Sequence, residues 1–203
     1  MKIFLMRHGL TEYNLTGHYT GRADIPLHPQ GEAQARAVSE MLKNVHFDRV
    51  IASSQKRAVQ TAQLVVPGHP VETMDAFVEL DVGNWTGLTW KEASAKDPVG
   101  AARHEADWTA AVGGGESFYD MYARVEQGVH QILDTSGVDD TLLIVSHGGP
   151  MRVLATILLD LPKEIYWHLV AGQGSYSLLT AYPQKPLWFS IAEWNSVRVR
   201  DKA

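Results

Sequence analysis

Short runs of consecutive apolar residues recur along the chain, and apolar residues at helical spacing separate them. The clearest runs cover residues 3–6, 50–52 and 142–145. Continuous runs of this length are typical of strands that are buried on both faces, as in a parallel sheet covered by helices. Helical patterns follow them, over 33–42, 58–66 and 151–159. This alternation predicts an α/β three-layer sandwich, with a mostly parallel central sheet and helices on both faces.

Two regions depart from the alternation. The segment at about 86–115 is rich in Ala, Trp and charged residues and ends in three glycines. We interpret it as a mostly helical excursion from the core, followed by a helix over about 117–133. Near the C-terminus, 176–181 and 188–194 alternate and carry aromatic residues, which favours strands. Since the length of 203 residues suits one domain, residues 1–203 are expected to form a single domain.

Composition narrows the class of protein and its partners. The net charge of −5 leaves no broad basic field, which argues against nucleic acid or an anionic membrane as the main partner. No apolar run reaches the roughly 18 residues of a membrane helix. The apolar run near Met1 is too short for a signal-peptide core, so we expect a cytoplasmic protein. The absence of cysteine excludes disulfides, thiolate metal sites and cysteine nucleophiles.

Two histidines and two arginines are predicted to meet at one edge of the sheet. Arg7 and His8 follow the run 3–6, and His147 follows the run 142–145. In open α/β sheets, ligands bind beyond the carboxyl ends of the strands, where both histidines would lie. Arg57 falls in the first turn of the helix after 50–52, where a cation opposes the helix dipole. A bound anion would explain a cation at that position.

This residue set favours a phosphoryl group over a metal ion. Histidine is a common metal ligand, but the spacing typical of metal sites is missing, and arginine would repel a cation. Arginine instead binds phosphate through two parallel hydrogen bonds. We therefore expect no metal and no cofactor. His8 is the candidate nucleophile, and Arg7, Arg57 and His147 are the candidates for holding the phosphoryl oxygens.

Cleavage of a phosphate ester also requires an acid, because an alkoxide departs poorly without a proton. Glu79 is the candidate, since apolar and aromatic residues follow it closely in the sequence. Spacing alone leaves Asp81, Glu12 and Glu116 as alternatives.

Five sequence blocks, in this order and spacing, resemble the histidine phosphatase superfamily, whose members include the cofactor-dependent phosphoglycerate mutases. The blocks are 5–14 (LMRHGLTEYN), 21–35, 53–62 (SSQKRAVQTA), 79–87 and 145–149 (VSHGG). The resemblance implies a phosphoglycerate mutase-like fold with His8 as the phosphohistidine.

The same resemblance implies roles for the other pocket residues. Arg7, Arg57 and His147 would bind the phosphoryl group, and Asn14 would contact the same pocket. The pair His147-Gly148 is typical of the branch in which the residue at Glu79 serves as the acid and then as the base that activates water. The chain departs from the family pattern at Gln55, His28 and Thr86, and we expect none of these three to touch the phosphate pocket.

A small-molecule phosphomonoester is the expected substrate, and hydrolysis is favoured over a mutase reaction because the region after the Glu79 block is short. Segments outside the shared pocket resemble the α-ribazole phosphatases of cobalamin biosynthesis: 47–51, 107–108 with 110–112, 115–118, and 167–169 with 173–174. Thr20, Gly21, Trp85, Trp108 and Gly148 are the candidates for binding the rest of the substrate. A broad-specificity phosphatase, a phosphoglycerate mutase and an inactive phosphate-binding module are the alternatives, and a homodimer is left open.

Overall fold

The computed structural model describes residues 1–182 and 188–197, and its strands form one six-stranded sheet. The strands are β1 (Lys2–Arg7), β2 (Arg49–Ser53), β3 (Glu72–Met74), β4 (Thr141–Ser146), β5 (Tyr176–Tyr182) and β6 (Trp188–Ser196). Their order across the sheet is β3-β2-β4-β1-β5-β6. The first four in this order are parallel, while β5 and β6 add an antiparallel edge. The predicted α/β class with a mostly parallel sheet is confirmed.

In the described part of the chain, seven α-helices accompany the sheet: α1 (Glu12–Thr16), α2 (Pro29–Leu42), α3 (Lys56–Val65), α4 (Trp90–Lys96), α5 (Pro98–Ala106), α6 (Phe118–Thr135) and α7 (Gly148–Leu158). Three short 3-10 helices cover Asp75–Phe77, Gly83–Trp85 and Lys163–His168. Local sequence sets the starts of the α-helices. Ser117 and Asp120 form a reciprocal capping box at the start of α6, and Pro29 occupies the first turn of α2. The helices α4 and α5 lie in the segment interpreted as an excursion. Within 1–182 and 188–197, every helix is too short or too polar to span a lipid bilayer.

The strands are buried on both faces because alternate side chains enter two separate cores. Ile3 and Leu5 of β1 pack with α6 and α7, whereas Phe4 and Met6 pack with α2 and α3. This two-sided burial explains why the strands appear in the sequence as continuous apolar runs. The prediction of a single domain covers 1–203, of which 183–187 and 198–203 lie outside the described residues.

The register of the parallel strands aligns the ends that carry the candidate residues. Arg7 at the end of β1 is paired with Ser146 at the end of β4, and Ala52 near the end of β2 is paired with Val145. The residues that follow these three strands therefore meet at one edge of the sheet.

Candidate active site

A cavity of about 320 Å³ opens at this edge of the sheet. Most of the residues predicted for the site line it: Arg7, His8, Asn14, Thr20, Gly21, Arg57, Glu79, Trp85, Trp108 and Gly148. His147 does not line the cavity but is fully buried behind Arg57. Within the described ranges, no group of three or more His, Asp or Glu side chains is arranged to hold a metal ion.

His8 is held with one ring nitrogen facing the guanidinium of Arg57. Its Nδ1 donates to the carbonyl of Gly9 at 2.7 Å, so Nδ1 carries the ring proton and Nε2 keeps its lone pair. Burial is the main cause that lowers the pKa of His8 well below its usual value, and the positive charges of Arg57 and Arg7 add to it. The ring is therefore neutral at neutral pH, as a nucleophile must be.

Arg57 is completely buried and is held on every side by hydrogen bonds. Its Nε donates to His8 Nε2 at 3.3 Å and to His147 Nδ1 at 3.2 Å. Its Nη1 donates to the carbonyl of Ala23, and its Nη2 donates to the carbonyl of Gly21 and to Gln55 Oε1. Burial lowers the pKa of Arg57 to about 10, so the side chain still carries its charge at neutral pH.

His147 connects Arg57 to the end of β2. Because Arg57 donates to Nδ1, the ring proton of the neutral imidazole lies on Nε2, which donates to Ser53 Oγ at 2.8 Å. Burial, followed by the charge of Arg57, lowers the pKa of His147 well below its usual value. The sequence-based expectation placed His147 on the phosphoryl group, whereas in this structure it contacts Arg57 and Ser53.

Arg7 lines the cavity and has one side-chain donor without a partner. Its Nη1 donates to the carbonyl of Ala171 at 2.7 Å, while its buried Nε has no partner among the residues that the structure describes. A buried donor without a hydrogen bond costs about 1–3 kcal/mol. Gly148 packs against this guanidinium, because a Cβ there would lie 3.1 Å from Arg7 Cζ.

Asn14 lines the cavity from the short helix α1. Its Oδ1 accepts from the backbone N of Thr11 at 3.1 Å and from the Thr11 hydroxyl at 3.0 Å. The bond from Thr11 N and a bond from Asn14 N to Thr11 Oγ1 at 3.4 Å form a capping box, so the orientation of the Asn14 amide is fixed by the start of its own helix.

Of the four candidate carboxylates, only Glu79 lines the cavity. Glu116 is bound to Arg124 through both of its oxygens, Asp81 accepts from the backbone N of Gly83, and Glu12 is exposed on α1. The Glu79 carboxylate also lies close to the start of α7, where a Cβ on Gly149 would come within 2.6 Å of Oε1. A glycine at position 149 therefore leaves room for the carboxylate.

The expectation that Gln55 stays away from the phosphate pocket was wrong. Its side chain is buried and contacts three parts of the pocket. Oε1 accepts from the backbone N of Glu79 at 2.8 Å and from Arg57 Nη2 at 3.2 Å, and Nε2 donates to the carbonyl of Gly21 at 3.0 Å. The sequence shows a polar residue just after the end of β2, which was the available sign of such a role. The direction in which its side chain points depends on the fold.

Three aromatic residues of the cavity lining, Trp108, Tyr166 and Trp167, pack together into an aromatic wall. Trp108 stacks on Tyr166, with ring centroids 5.4 Å apart and planes at 12°, and it meets Trp167 edge to face at 5.8 Å. Arg152 places its guanidinium 5.3 Å from the ring centre of Tyr166 and 5.4 Å from that of Trp167. Trp85, by contrast, is fully buried and its Nε1 donates to Asp97, so it is mainly a core residue.

Among the cavity residues that were not predicted as site residues, five carry ionisable side chains: His18, Tyr19, His104, Arg152 and Tyr166. Arg152 had a usable signal, because it follows Gly148 by four positions and so lies on the same face of α7. Tyr166 and His104 come from segments far along the chain, and only the fold brings them to the cavity.

The fold and the pocket define a phosphatase with a histidine nucleophile, and the chain belongs to the histidine phosphatase superfamily (branch 1), whose sequence model matches residues 3–196. Among named relatives, it is 35% identical over 182 residues to an adenosylcobalamin/alpha-ribazole phosphatase of Salmonella typhimurium, which covers 88% of this chain and 90% of the relative.

A further relative and a solved structure are also similar to the chain. The chain is 30% identical to phosphoserine phosphatase 1 of Hydrogenobacter thermophilus, over 88% of this chain and 86% of that protein. A solved structure, the alpha-ribazole phosphatase from Shigella flexneri, superposes with a TM-score of 0.90 at 30% identity, covering 99% of this chain and all of that one.

Proposed function

We propose that this phosphatase hydrolyses α-ribazole 5'-phosphate through a phosphohistidine intermediate on His8. The observation that carries the mechanism is the state of His8: a buried, neutral imidazole whose Nδ1 is fixed by Gly9 and whose Nε2 lies beside Arg57. We further propose a single-domain, cytoplasmic protein. The single sheet agrees with one domain, and the net charge of −5 agrees with a small molecule as the substrate.

In the first half of the proposed reaction, His8 Nε2 attacks phosphorus and the bond between phosphorus and the ester oxygen breaks. Protonated Glu79 gives its proton to that oxygen, so the product leaves as an alcohol. Arg7 and Arg57 stabilise the charge on the phosphoryl oxygens, and the unpartnered Nε of Arg7 gains its acceptor. His147 keeps Arg57 in place through its Nδ1.

In the second half, water attacks phosphorus and the bond between Nε2 and phosphorus breaks. The Glu79 carboxylate takes a proton from the water. The oxygen of that water becomes part of the inorganic phosphate that leaves. The position of Glu79 as the only carboxylate of the four candidates on the cavity wall supports both of its proton transfers.

The aromatic wall supports a substrate with a flat base. Trp108 is half-buried and Trp167 is about half exposed, so both have surface available to a ring that enters the cavity. Stacking of a base on an aromatic side chain contributes about 1–3 kcal/mol. The names of the relatives from Salmonella typhimurium and Shigella flexneri point to the same substrate.

Phosphoserine is the second candidate, and Arg152 is the observation that favours it. Its guanidinium lies at the cavity wall, where it could bind a substrate carboxylate. The relative from Hydrogenobacter thermophilus carries the name of a phosphoserine phosphatase.

A substrate panel decides between the two. Initial rates of phosphate release are measured without added metal for α-ribazole 5'-phosphate, phosphoserine, 3-phosphoglycerate, fructose bisphosphate, nucleotides and 4-nitrophenyl phosphate. We expect the highest kcat/KM with α-ribazole 5'-phosphate. A higher value with phosphoserine would move the assignment to that substrate, and equal values across the panel would indicate a broad-specificity phosphatase.

A further inference from the structure

Gln55 occupies an unusual place for a glutamine. It is the residue that immediately precedes α3, yet its side chain makes no capping hydrogen bond to that helix. Glutamine is not among the residues favoured at this position, where short polar side chains reach the free backbone N–H groups. The side chain turns inward instead, and only 7% of the residue remains exposed.

The hydrogen bonds of Gln55 differ in how replaceable they are. Arg57 keeps four other acceptors if Gln55 is lost: the carbonyls of Gly21 and Ala23, and one ring nitrogen each of His8 and His147. The backbone N of Glu79 has only Gln55 Oε1 as an acceptor among the described residues. Loss of the amide therefore affects Glu79 far more than Arg57.

The remaining bonds of the Glu79 segment make this link important. Arg124 holds the carbonyls of Ala76 and Glu79, at 2.7 and 3.3 Å. The Glu79 side chain accepts from the backbone N of Leu80 at 2.9 Å. Arg124 thus fixes the segment from the side of α6, and Gln55 is the connection to the phosphoryl pocket itself.

We propose that Gln55 is a positioning residue that sets the distance between the acid Glu79 and the phosphoryl group held at His8 and Arg57. Its amide suits this task because it accepts from Glu79 and Arg57 and donates to Gly21 without adding a charge beside the substrate. This inference rests on the proposed role of Glu79 as the acid that protonates the leaving group.

The test uses Gln55→Met, which keeps the length of the side chain and removes both hydrogen-bonding groups. A series of substituted phenyl phosphates, from 4-nitrophenyl to unsubstituted phenyl, varies the need for a proton without depending on the natural substrate. We expect kcat/KM, which reports the steps up to release of the phenol, to fall about tenfold more for phenyl phosphate than for 4-nitrophenyl phosphate, since general acid catalysis contributes about 10²–10⁴-fold. Inhibition by inorganic phosphate should change by less than about threefold, because Arg57 stays in place.

A double-mutant cycle separates positioning from a general structural effect. If Gln55 acts through Glu79, then Gln55→Met should cost almost nothing in an enzyme that already carries Glu79→Gln. The matched control is Gln63→Met, which changes an exposed glutamine of the same helix and should leave every rate unchanged.

Gln55→Glu is a second variant, for which the expected pattern is the reverse of that for Gln55→Met: the leaving-group dependence stays and the inhibition by phosphate changes. It keeps an oxygen that accepts from Glu79 N, so its dependence on the leaving group should stay close to that of the wild type. Its added negative charge should weaken inhibition by inorganic phosphate.

The inference is overturned if Gln55→Met lowers kcat/KM equally for both phenyl phosphates. It is also overturned if the effects of Gln55→Met and Glu79→Gln are additive in the double-mutant cycle. If Glu79→Gln is selective for poor leaving groups and Gln55→Met is not, only the role of Gln55 fails. If Glu79→Gln is itself unselective, the proposed acid fails and the positioning role falls with it.

Discussion

The Nε proton of Arg57 is shared between His8 Nε2, at 3.3 Å, and His147 Nδ1, at 3.2 Å. This one shared donor joins the residues that follow β1, β2 and β4. Burial is the main cause that lowers the pKa of both imidazoles, and the cation beside each ring adds to it by disfavouring a second positive charge. The pocket thereby keeps a histidine lone pair available next to the charge that a phosphoryl group requires.

Replacement of the proposed acid should depend on the leaving group. Glu79→Gln removes the proton donor and keeps the shape of the side chain. We expect the rate of leaving-group release in the first turnover to fall by about 10²–10⁴-fold with alkyl phosphates, and to fall much less with 4-nitrophenyl phosphate. Pre-steady-state measurement of alcohol or phenol release checks this. The matched control is Glu12→Gln on the exposed surface of α1, and equal losses with both substrate classes would contradict the role of Glu79.

The lowered pKa values of the two histidines predict a loss of stability in acid. Above about pH 6.5 both rings are neutral in the folded and the unfolded chain, so they contribute no pH dependence. Below that pH the unfolded chain takes up their protons and the folded chain does not. As the pH decreases below 6.5, the free energy of unfolding should therefore fall by about 1.4 kcal/mol per pH unit for each histidine. This decrease ends when the pH reaches the lower pKa that the histidine has in the folded state.

Urea unfolding between pH 5 and 7 measures this slope, and His8→Gln isolates one of the two contributions. We expect the slope below pH 6.5 to decrease by about 1.4 kcal/mol per pH unit in that variant. His46→Gln is the matched control, because the His46 side chain is 90% exposed. A slope in His8→Gln that equals that of the wild type would show that the folded protein protonates His8 readily.

The aromatic wall should affect the substrate base and not the phosphoryl chemistry. Trp108→Ala removes the ring that stacks on Tyr166, and kcat/KM for α-ribazole 5'-phosphate should fall about 10–100-fold if the base rests there. Phosphoserine, which has no ring, should be hydrolysed at the wild-type rate. Trp188→Ala on β6 serves as the control, since Trp188 is 63% exposed. Equal losses with both substrates would place the effect in the fold of the wall instead.

The sequence was most informative about the edge of the sheet. The buried strands 3–6, 50–52 and 142–145 each form a continuous apolar run, and the rule for open sheets places His8, Arg57 and His147 together. The choice of Glu79 among four carboxylates needed the structure, because the paths of the loops decide which carboxylate reaches the cavity.

The sequence offered Trp108 as a candidate, but the packing of the aromatic wall and the contacts of Gln55 could not be predicted, for a related reason. Tyr166 and Trp108 are 58 positions apart in the sequence and become neighbours only when the segments after α5 and α7 fold onto each other. Gln55 looked like the start of a helix, and its inward direction depends on a backbone N–H of Glu79, which no side-chain pattern indicates.

Trapping of a phosphorylated enzyme shows directly whether the reaction passes through His8. The protein is mixed with a substrate whose phosphate is labelled, quenched in denaturant within milliseconds, and assayed for bound label that is stable in base and labile in acid. We expect such a label in the wild type, located at His8, and neither label nor turnover in His8→Ala, while His46→Ala behaves as the wild type. Turnover by His8→Ala, or label on another residue, would contradict a mechanism that passes through His8.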